Sequence, residues 1–399
     1  MFSCAVCSGS GTHTRGNGGA SGGSAAGASS LGAAGGNGGL TTIDLSGGTT
    51  TSPAAQTGNS QAVILASNQQ YPAAIAVNGS NVYWLNLGTT TCDYKFRTPW
   101  IGGQVMKCAT SGCQNTPTVL ASDRVSDLNG TPLAAFSSDG VNVYWSDDTG
   151  ATPNTAANSP RLFMCSVSGC KNSPQAIFEG SVSAIAVNSA NLYWTTGTPV
   201  VDLCPVANFG APMEFASLQD PNALSGALAA DEDSVYWLIG DGEILQCAAG
   251  GCNGVPTVIG PNTPIEDVPP QIVLDTGNLY YKAIVDYATG SGEILACART
   301  GCGDTAIVLA SGLNYPVGIA TDGLNVYWTE AGYTEVSGQQ QTTPGVVRKC
   351  AVAGCNNLPT TVAGGLNNPQ GIVVDEQNVY WTESGACPDF DGRIWRAPK

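Results

Sequence analysis

The stretch that decides the fold is LASGLNYPVGIATDGLNVYWTE, residues 309–330. A short apolar strand ends at Asp322, Asn325 follows three residues later, and a second strand carries Tyr327 and Trp328. Asp and Asn side chains accept hydrogen bonds from backbone amides two residues further along the chain, which favours a tight turn. The stretch therefore predicts an antiparallel hairpin with an aromatic pair in its second strand.

The same pattern occurs seven times, at intervals of 43 to 61 residues between successive aromatic pairs. Each hairpin is followed by a third apolar segment such as GEILQC (242–247) and a fourth such as TPTVLA (116–121). Four short strands in a unit of this length, repeated along a chain, are typical of a β-propeller blade. The pairs are Tyr83 and Trp84, Tyr144 and Trp145, Tyr193 and Trp194, Tyr236 and Trp237, Tyr280 and Tyr281, Tyr327 and Trp328, and Tyr380 and Trp381.

The two ends of the repeat region complement each other. The chain ends with GRIWRAPK (392–399), which matches a third strand, and QAVILAS (61–67) matches a fourth strand that has no first three. Pairing of these segments would complete the seventh blade and remove open sheet edges. We predict an all-β, seven-bladed propeller of four-stranded blades over 61–399, closed by strand 61–67.

The consensus P-x-x-I-A-x-D-x-x-N-x-Y-W-T-[DE], followed by G-x-[IV], resembles the YWTD repeats of the low-density-lipoprotein-receptor class B type across 61–399. The resemblance implies a propeller and no single function, because this fold serves many partners. Receptor propellers of this type have six blades, and their fourth motif position is replaced here by varied residues. Those residues are Asn86, Asp147, Thr196, Ile239, Ala283, Glu330 and Glu383. The chain looks more like a cysteine-clamped propeller lipoprotein of a bacterial envelope.

Ten of the 15 cysteines form five C-x4-C pairs, one per repeat. A zinc ribbon would bring two close pairs to one ion, whereas these pairs lie about 50 residues apart, so we predict local disulfides. Each six-residue loop would stabilise the fold by about 2 kcal/mol, and the set indicates an oxidising compartment. The predicted disulfides are Cys108 with Cys113, Cys165 with Cys170, Cys247 with Cys252, Cys297 with Cys302, and Cys350 with Cys355.

The other cysteines receive different predictions. Cys92 and Cys387 stand in equivalent loops of blades 1 and 7, which ring closure makes neighbours, so we predict a sixth disulfide. Cys204 occupies a first-cysteine position, but Phe209 stands where its partner would be, which predicts a lone thiol.

Residues 1–60 are predicted to be a separate disordered tether, since residues 8–60 are mostly Gly, Ser, Ala, Thr and Asn. A cysteine before such a tether resembles the mature start of a bacterial lipoprotein, with Cys4 or Cys7 as the acylated residue. An unprocessed tail with two free thiols is the alternative, because no complete secretory signal is present. We expect an extracytoplasmic location: periplasm, outer-membrane surface or secreted. Membrane contact is expected only through the lipid anchor.

Charge and composition exclude several functions. The chain has 14 Lys and Arg against 30 Asp and Glu, a formal charge of −16, so nucleic acid is not an expected partner. Its one histidine, His13, precedes the predicted propeller. Catalytic triads that use histidine, histidine-ligated metals and histidine general bases are therefore excluded from the fold.

Four long insertions follow the second strands of blades 1, 2, 6 and 7, at 87–103, 147–160, 330–345 and 383–392. These blades are neighbours around the ring, and we call the surface that these insertions form the long-loop face. The opposite side, with the first-to-second hairpins and the C-x4-C turns, is called the hairpin face. Ligand sites commonly occupy loops on a rigid scaffold, so the long-loop face is the predicted site. Loops that lengthened without a function are the alternative.

Aromatic and acidic residues mix in these insertions. Rings beside carboxylates suit a glycan, and amphipathic aromatics suit a protein partner. The Asp147/Asp148 and Asp389/Asp391 pairs could also ligate calcium, although no run matches an EF-hand, so we predict no metal and no cofactor. The predicted ligand-binding residues are Tyr94, Phe96, Trp100, Asp147, Asp148, Tyr333, Asp389, Phe390 and Asp391.

The sequence therefore predicts a monomeric, non-enzymatic, extracytoplasmic binding module for a protein or glycan, with no catalytic residues. One alternative is a carboxylate-dependent glycosidase or lyase, because a retaining glycosidase needs only two acids about 5 Å apart. The other is a structural envelope or spacer protein.

Overall fold

A computed structural model of the chain describes its strands and most of their connections. All described residues belong to one compact unit, 54–399. This part of the chain contains strands and turns and no helix. The described residues are 61–89, 100–126, 135–147, 161–180, 182–196, 198, 200–217, 225–239, 242–260, 271–286, 289–303, 305–336, 339–385 and 391–399.

Seven four-stranded antiparallel sheets form the blades, which confirms the predicted architecture. The first strand, β1 (Val63–Gln69), is the outer strand of blade 7. Blade 1 comprises β2 (Pro72–Asn78), β3 (Asn81–Asn86), β4 (Trp100–Ala109) and β5 (Thr118–Ser126). Blade 2 comprises β6 (Phe136–Ser138), β7 (Asn142–Asp147), β8 (Arg161–Ser166) and β9 (Gln175–Glu179). Blade 3 comprises β10 (Ala184–Val187), β11 (Asn191–Thr195), β12 (Val200–Pro205) and β13 (Met213–Ser217).

Blade 4 comprises β14 (Ser225–Ala230), β15 (Ser234–Ile239), β16 (Ile244–Ala248) and β17 (Thr257–Val258). Blade 5 comprises β18 (Ile272–Leu274), β19 (Asn278–Asp286), β20 (Ser291–Ala298) and β21 (Ile307–Asn314). Blade 6 has β22 (Pro316–Thr321) and β23 (Asn325–Glu330), then a separate hairpin of β24 (Tyr333–Val336) and β25 (Gln339–Thr342), then β26 (Gly345–Ala351) and β27 (Thr360–Leu366). Blade 7 has β28 (Pro369–Val374), β29 (Asn378–Glu383) and β30 (Gly392–Pro398), with β1 outermost.

The ring closes as predicted, because β1 pairs antiparallel with β30 from Val63 opposite Arg396 to Gln69 opposite Gly392. Blade 7 is therefore built from both ends of the propeller sequence. The closing strand covers 63–69 in the structure, a shift of two residues from the predicted 61–67.

The repeated Asp-x-x-Asn motif forms the predicted tight hairpins. In blade 6 the Asp322 carboxylate accepts the backbone N–H groups of Leu324 (3.0 Å) and Asn325 (2.7 Å), and its second oxygen accepts the Tyr327 hydroxyl (3.0 Å). The same tyrosine-to-aspartate bond occurs in blades 2, 5 and 7. The motif thus fixes the turn and orients the first ring of the aromatic pair.

The aromatic pairs form the cores between blades. Adjacent residues of a strand point to opposite faces of its sheet, so the two rings of each pair face different neighbours. Tyr380 of blade 7 shares a core with Trp84 of blade 1, and Tyr83 of blade 1 shares the next with Trp145 of blade 2. All seven interfaces repeat this arrangement, and no ring of a pair is more than 1% exposed.

Candidate functional site

All five predicted C-x4-C disulfides are present, with Cα–Cα distances of 5.1–5.5 Å. Each joins the end of a third strand to the turn that follows, on the hairpin face. The Cys92–Cys387 pair lies outside the described residues and stays a prediction.

The disulfide turns also bind the preceding blade, which the sequence reasoning did not predict. Two residues after the second cysteine, an asparagine with positive φ (55–58°) turns its side chain towards the neighbouring outer strand. The Asn115 carbonyl oxygen accepts the backbone N–H of Ser67 (2.6 Å). Asn172 and Asn357 make the same contact, with the N–H groups of Ser122 (2.6 Å) and Ser311 (2.8 Å). We call these contacts inter-blade clasps; each bonds one backbone N–H of an outer strand, in blades 7, 1 and 5.

Cationic side chains add further ties across the hairpin face. Arg299 of blade 5 pairs with Asp231 of blade 4, and Lys399 at the chain's end lies 3.0 Å from Asp322. Lys107 donates to the Val167 carbonyl at 2.9 Å. The polar groups of this face therefore hold neighbouring blades together, which favours a structural role for it.

Blade 3 has no disulfide in its turn, and Cys204 is a buried free thiol, as predicted. The thiol donates to the Gly210 carbonyl (Sγ–O 3.5 Å), and burial raises its pKa. Phe209 packs against Tyr144 of blade 2 with ring centroids 6.1 Å apart. An aromatic contact thus joins blades 2 and 3, where the turns of blades 1, 2 and 6 use a disulfide and an asparagine.

On the long-loop face, buried carboxylates fix the bases of the loops. Glu330 in blade 6 is 4% exposed and accepts the Trp328 indole N–H (3.0 Å). It also accepts the Asn314 backbone N–H (3.0 Å), and Arg348 pairs with it at 3.0 Å. One carboxylate therefore joins the second strand of blade 6 to the connection from blade 5.

Glu383 repeats this arrangement in blade 7 and is 2% exposed. It accepts the Trp395 indole N–H and the Asn367 backbone N–H, each at 2.6 Å, and Arg393 lies 3.5 Å away. Charge-assisted bonds of this kind are among the stronger ones in proteins. Glu383 therefore joins the second and third strands of blade 7 to the connection from blade 6.

Blade 1 uses an amide for the same purpose. The Gln69 side-chain oxygen accepts the Trp84 indole N–H and the Asn86 side-chain N–H, both at 3.0 Å. The positions equivalent to Asn86, Glu330 and Glu383 are Ile239 in blade 4 and Ala283 in blade 5, which are buried and apolar. We call the sets around Glu330, Glu383 and Gln69 the polar pedestals. They lie under three of the four blades that carry long insertions.

The predicted loop 330–345 contains structure that the sequence did not indicate, the hairpin β24–β25. Its base is fixed by the Thr343 backbone N–H, which donates to the Gly332 carbonyl (2.7 Å). The Asn314 side chain donates to the Thr343 hydroxyl (2.9 Å). Gly332 has φ +79°, and a Cβ there would collide with the Thr343 carbonyl, so this position requires glycine.

The predicted ligand residues are only partly described. Trp100 begins β4, Asp147 ends β7 and Tyr333 begins β24, which places all three at the long-loop ends of their strands. Asp391 is exposed and pairs with Arg393 at 3.1 Å. The remaining site and lipidation candidates, Tyr94, Phe96, Asp148, Asp389, Phe390, Cys4 and Cys7, lie outside the described residues, and so does the predicted 1–60 tether.

The central channel encloses about 440 Å³ and is lined by the inner strands of the blades. Its walls are mainly Ala, Val and Ile, and its polar side chains include Ser137, Ser183 and Gln271. No charged side chain is among the described residues that line it. The described wall of the channel is therefore apolar and uncharged, with a few hydroxyl and amide groups.

Two acidic residues face each other on the outer strands of blade 3, Asp202 and Glu214. Burial, followed by repulsion from Glu214, raises the pKa of Asp202. The pair lies on β12 and β13, which are not part of the channel wall. Within the described ranges, no three Asp, Glu, His or Cys side chains group closely enough to hold a metal ion.

The chain matches no protein-family model and no curated protein. Solved structures do resemble it. The WD40 repeats of RRP9 match with TM-score 0.55 and 12% identity, covering 86% of this chain and 99% of that one. A chain of the mitotic checkpoint complex matches with TM-score 0.54 and 11% identity, covering 90% and 100%. The propeller domain of the Trilobed protease from Pyrococcus furiosus matches with TM-score 0.50 and 9% identity, covering 82% and 95%. At these identities the likeness shows the fold alone.

Among the described residues, no helix is long and apolar enough to span a membrane.

Proposed function

We propose that the chain is a non-enzymatic, extracytoplasmic binding module that takes a protein partner on its long-loop face. The observation that carries the proposal is the set of polar pedestals under blades 6, 7 and 1. Hydrogen bonds to the two carboxylates and to the Gln69 amide hold together the segments that they join. Binding loops gain affinity when they are held in place before binding.

The fold supports a protein as the partner. Propellers are typically protein-interaction scaffolds, and one of the similar chains belongs to the mitotic checkpoint complex. That argument is an analogy at the level of the fold. The site itself adds a hairpin on a fixed base, and each of its strands has one edge without a β-partner among the described strands. Polypeptides recognise sheet edges of this kind.

The five disulfides are compatible with an extracytoplasmic location, since such bonds persist in oxidising compartments. We extend this to an envelope lipoprotein with YWTD-like repeats, anchored through Cys4 or Cys7. Mass spectrometry of the mature chain would find an acyl group on one of them. An unmodified N-terminus in membrane-extracted protein would contradict the anchor.

Two observations favour a binding module over an enzyme. The most buried carboxylates of the long-loop face, Glu330 and Glu383, belong to different blades and are each paired with an arginine. The carboxylates Asp202 and Glu214 lie on outer strands of blade 3. Neither set provides two acids in one cleft, as a glycosidase requires. We also propose that the module needs no cofactor.

The test uses the oxidised full chain on arrays of secreted and envelope proteins and of glycans. In one variant, residues 333–342 are replaced by a short Gly-Ser linker. The matched control changes exposed apolar residues of the hairpin face, Val255→Ser and Leu358→Ser, which are 74% and 79% exposed. Circular dichroism and thermal melting would verify that both variants fold.

Protein binding that is lost in the linker variant and kept in the control supports the proposal. Binding that is lost only in the control would move the site to the hairpin face. Binding to glycans alone would replace the protein partner by a sugar. If neither array binds, the structural spacer alternative is favoured.

A further inference from the structure

The hairpin β24–β25 forms a sheet of its own. Each strand pairs only with the other among the described strands, so each has one edge without a β-partner. Backbone N–H and C=O groups on such an edge can pair with another polypeptide. The inter-blade clasps take a single backbone N–H from the outer strand of each of three blades.

The register shows which backbone groups face outwards. Val336 lies opposite Gln339, with two residues between them. In a hairpin with a two-residue loop, the pair next to the loop exchanges hydrogen bonds, and the following pairs alternate. The N–H and C=O groups of Tyr333 and Glu335 on β24, and of Gln340 and Thr342 on β25, therefore point away from the hairpin.

The sequence of the hairpin leaves these edges unprotected. Natural edge strands are often blunted by lysine, proline or a bulge. The strands here are YTEV (333–336) and QQQT (339–342), with no proline and no lysine, and their pairing register is continuous. Together with the fixed base at Gly332 and Thr343, this gives a short, regular edge that loses little entropy when a partner adds to it.

Charge distinguishes the two edges. The only charged residue in the two strands is Glu335, on β24. Opposite charges directly across adjacent strands are stabilising, and like charges are destabilising. Because the chain carries a formal charge of −16, an acidic segment would be repelled from it. The connection from blade 5 bonds both sides of the hairpin base, Asn314 with Thr343 and Tyr315 with Ala331.

We propose, resting on the proposed function, that the hairpin binds an extended segment of its protein partner by β-strand addition to β24, with a lysine or arginine of that segment opposite Glu335. Backbone hydrogen bonds to the outward groups of Tyr333 and Glu335 supply the affinity. The charge pair at Glu335 selects a basic segment over an acidic one.

The experiment selects octapeptides from a displayed random library on the immobilised, oxidised full chain, then measures the selected peptides by fluorescence polarisation. Glu335→Pro removes an outward N–H and leaves the inward bonds of the hairpin intact. Gln340→Pro is the matched change on the β25 edge. Glu335→Lys reverses the charge and keeps the N–H. The same peptides are also tested with alternate amides N-methylated.

We expect selected peptides rich in Lys or Arg and in β-branched residues. Glu335→Pro and peptide N-methylation should each weaken binding at least tenfold, and Gln340→Pro should change it by less than about twofold. Glu335→Lys should favour acidic peptides. Failure to select any peptide, or binding that is indifferent to Glu335→Pro and to N-methylation, would overturn strand addition.

The two proposals fail in different ways. If the Gly-Ser replacement of 333–342 abolishes binding of an array protein while Glu335→Pro leaves it unchanged, the long-loop face stands and strand addition is wrong. If the replacement leaves protein binding unchanged, strand addition is wrong. Loss of that binding in the Val255→Ser, Leu358→Ser variant would then overturn the long-loop face as well.

Discussion

Lys282 carries a buried amine without a partner in the part of the chain that the structure describes. It follows the aromatic pair of blade 5 and is 2% exposed, and no described residue forms a hydrogen bond with its Nζ. In blades 6 and 7 the equivalent residues are Thr329 and Thr382, whose hydroxyls bond to inner-strand backbone. Burial lowers the pKa of Lys282 to about 7.

The effect on stability follows from this pKa. An ordinary lysine has a pKa of about 10.4, so between pH 7 and 10.4 the unfolded chain holds a proton that the folded chain lacks. Stability therefore rises with pH across this window. A difference of roughly 3.5 pKa units between the unfolded and folded chain destabilises the folded state by at most about 5 kcal/mol. This destabilisation is fully present below pH 7. Lys282→Met keeps most of the apolar stem and removes the amine, so it should raise the free energy of unfolding by several kcal/mol at pH 7.

The assay is guanidinium unfolding with intact disulfides, followed by tryptophan fluorescence at pH 6.5, 8 and 9.5. Lys171→Met is the control, because Lys171 is exposed. We expect stability to rise with pH in the parent and the control, and this rise to shrink in Lys282→Met. A parent whose stability does not change over this range, or a Lys282→Met variant that follows the parent, would refute the reasoning.

Three further substitutions test the two faces. Glu383→Ala leaves the Trp395 indole N–H without its acceptor and should destabilise the fold by about 3 kcal/mol in denaturant unfolding. Asn172→Ala removes the clasp between blades 2 and 1 and should cost about 1 kcal/mol in the same assay. Phe209→Cys places a cysteine five residues after Cys204, in the spacing of the other disulfide turns. Thiol titration under denaturing conditions should then find no free thiol from this turn, and the bond should add about 2 kcal/mol, less the lost aromatic contact.

Matched controls separate these effects from general damage. Glu376→Ala and Gln114→Ala change exposed side chains and should each shift stability by less than about 0.5 kcal/mol. If Glu383→Ala resembles Glu376→Ala, the carboxylate does not hold the pedestal. If Asn172→Ala resembles Gln114→Ala, the clasp contributes nothing. A remaining free thiol in Phe209→Cys would show that the turn of blade 3 has a different shape.

The blade count and the disulfide pairing could be predicted because both are local. The Asp-x-x-Asn turn, the aromatic pair and the C-x4-C spacing each act within about ten residues, so a single repeat contains the whole signal. The partner of Asn115, by contrast, is Ser67 in another blade, and its role depends on how the ring places the turns. An asparagine two residues after a second cysteine is the signal that could have found it.

The candidate site was harder to predict. Glu330 and Glu383 end their strands, where a carboxylate usually faces solvent. They are buried together with indole donors of their own blades and backbone N–H donors of the preceding connections. The strands YTEV and QQQT lack alternating apolar residues, so 330–345 gave no strand signal. Most of the aromatic and acidic residues predicted to contact a ligand lie outside the described residues, and their role stays a prediction.

The spacing of the cysteines has a consequence for how the protein matures. Each disulfide joins residues five apart, while the next pair lies 50 to 82 residues away. Short segments meet their own ends more readily than distant ones, so each of these cysteines finds its correct partner before a cysteine of another repeat. Oxidation can therefore proceed one repeat at a time along a growing chain. Blades can then pack together without further covalent chemistry at these turns. The ring itself closes through the backbone hydrogen bonds between β1 and β30.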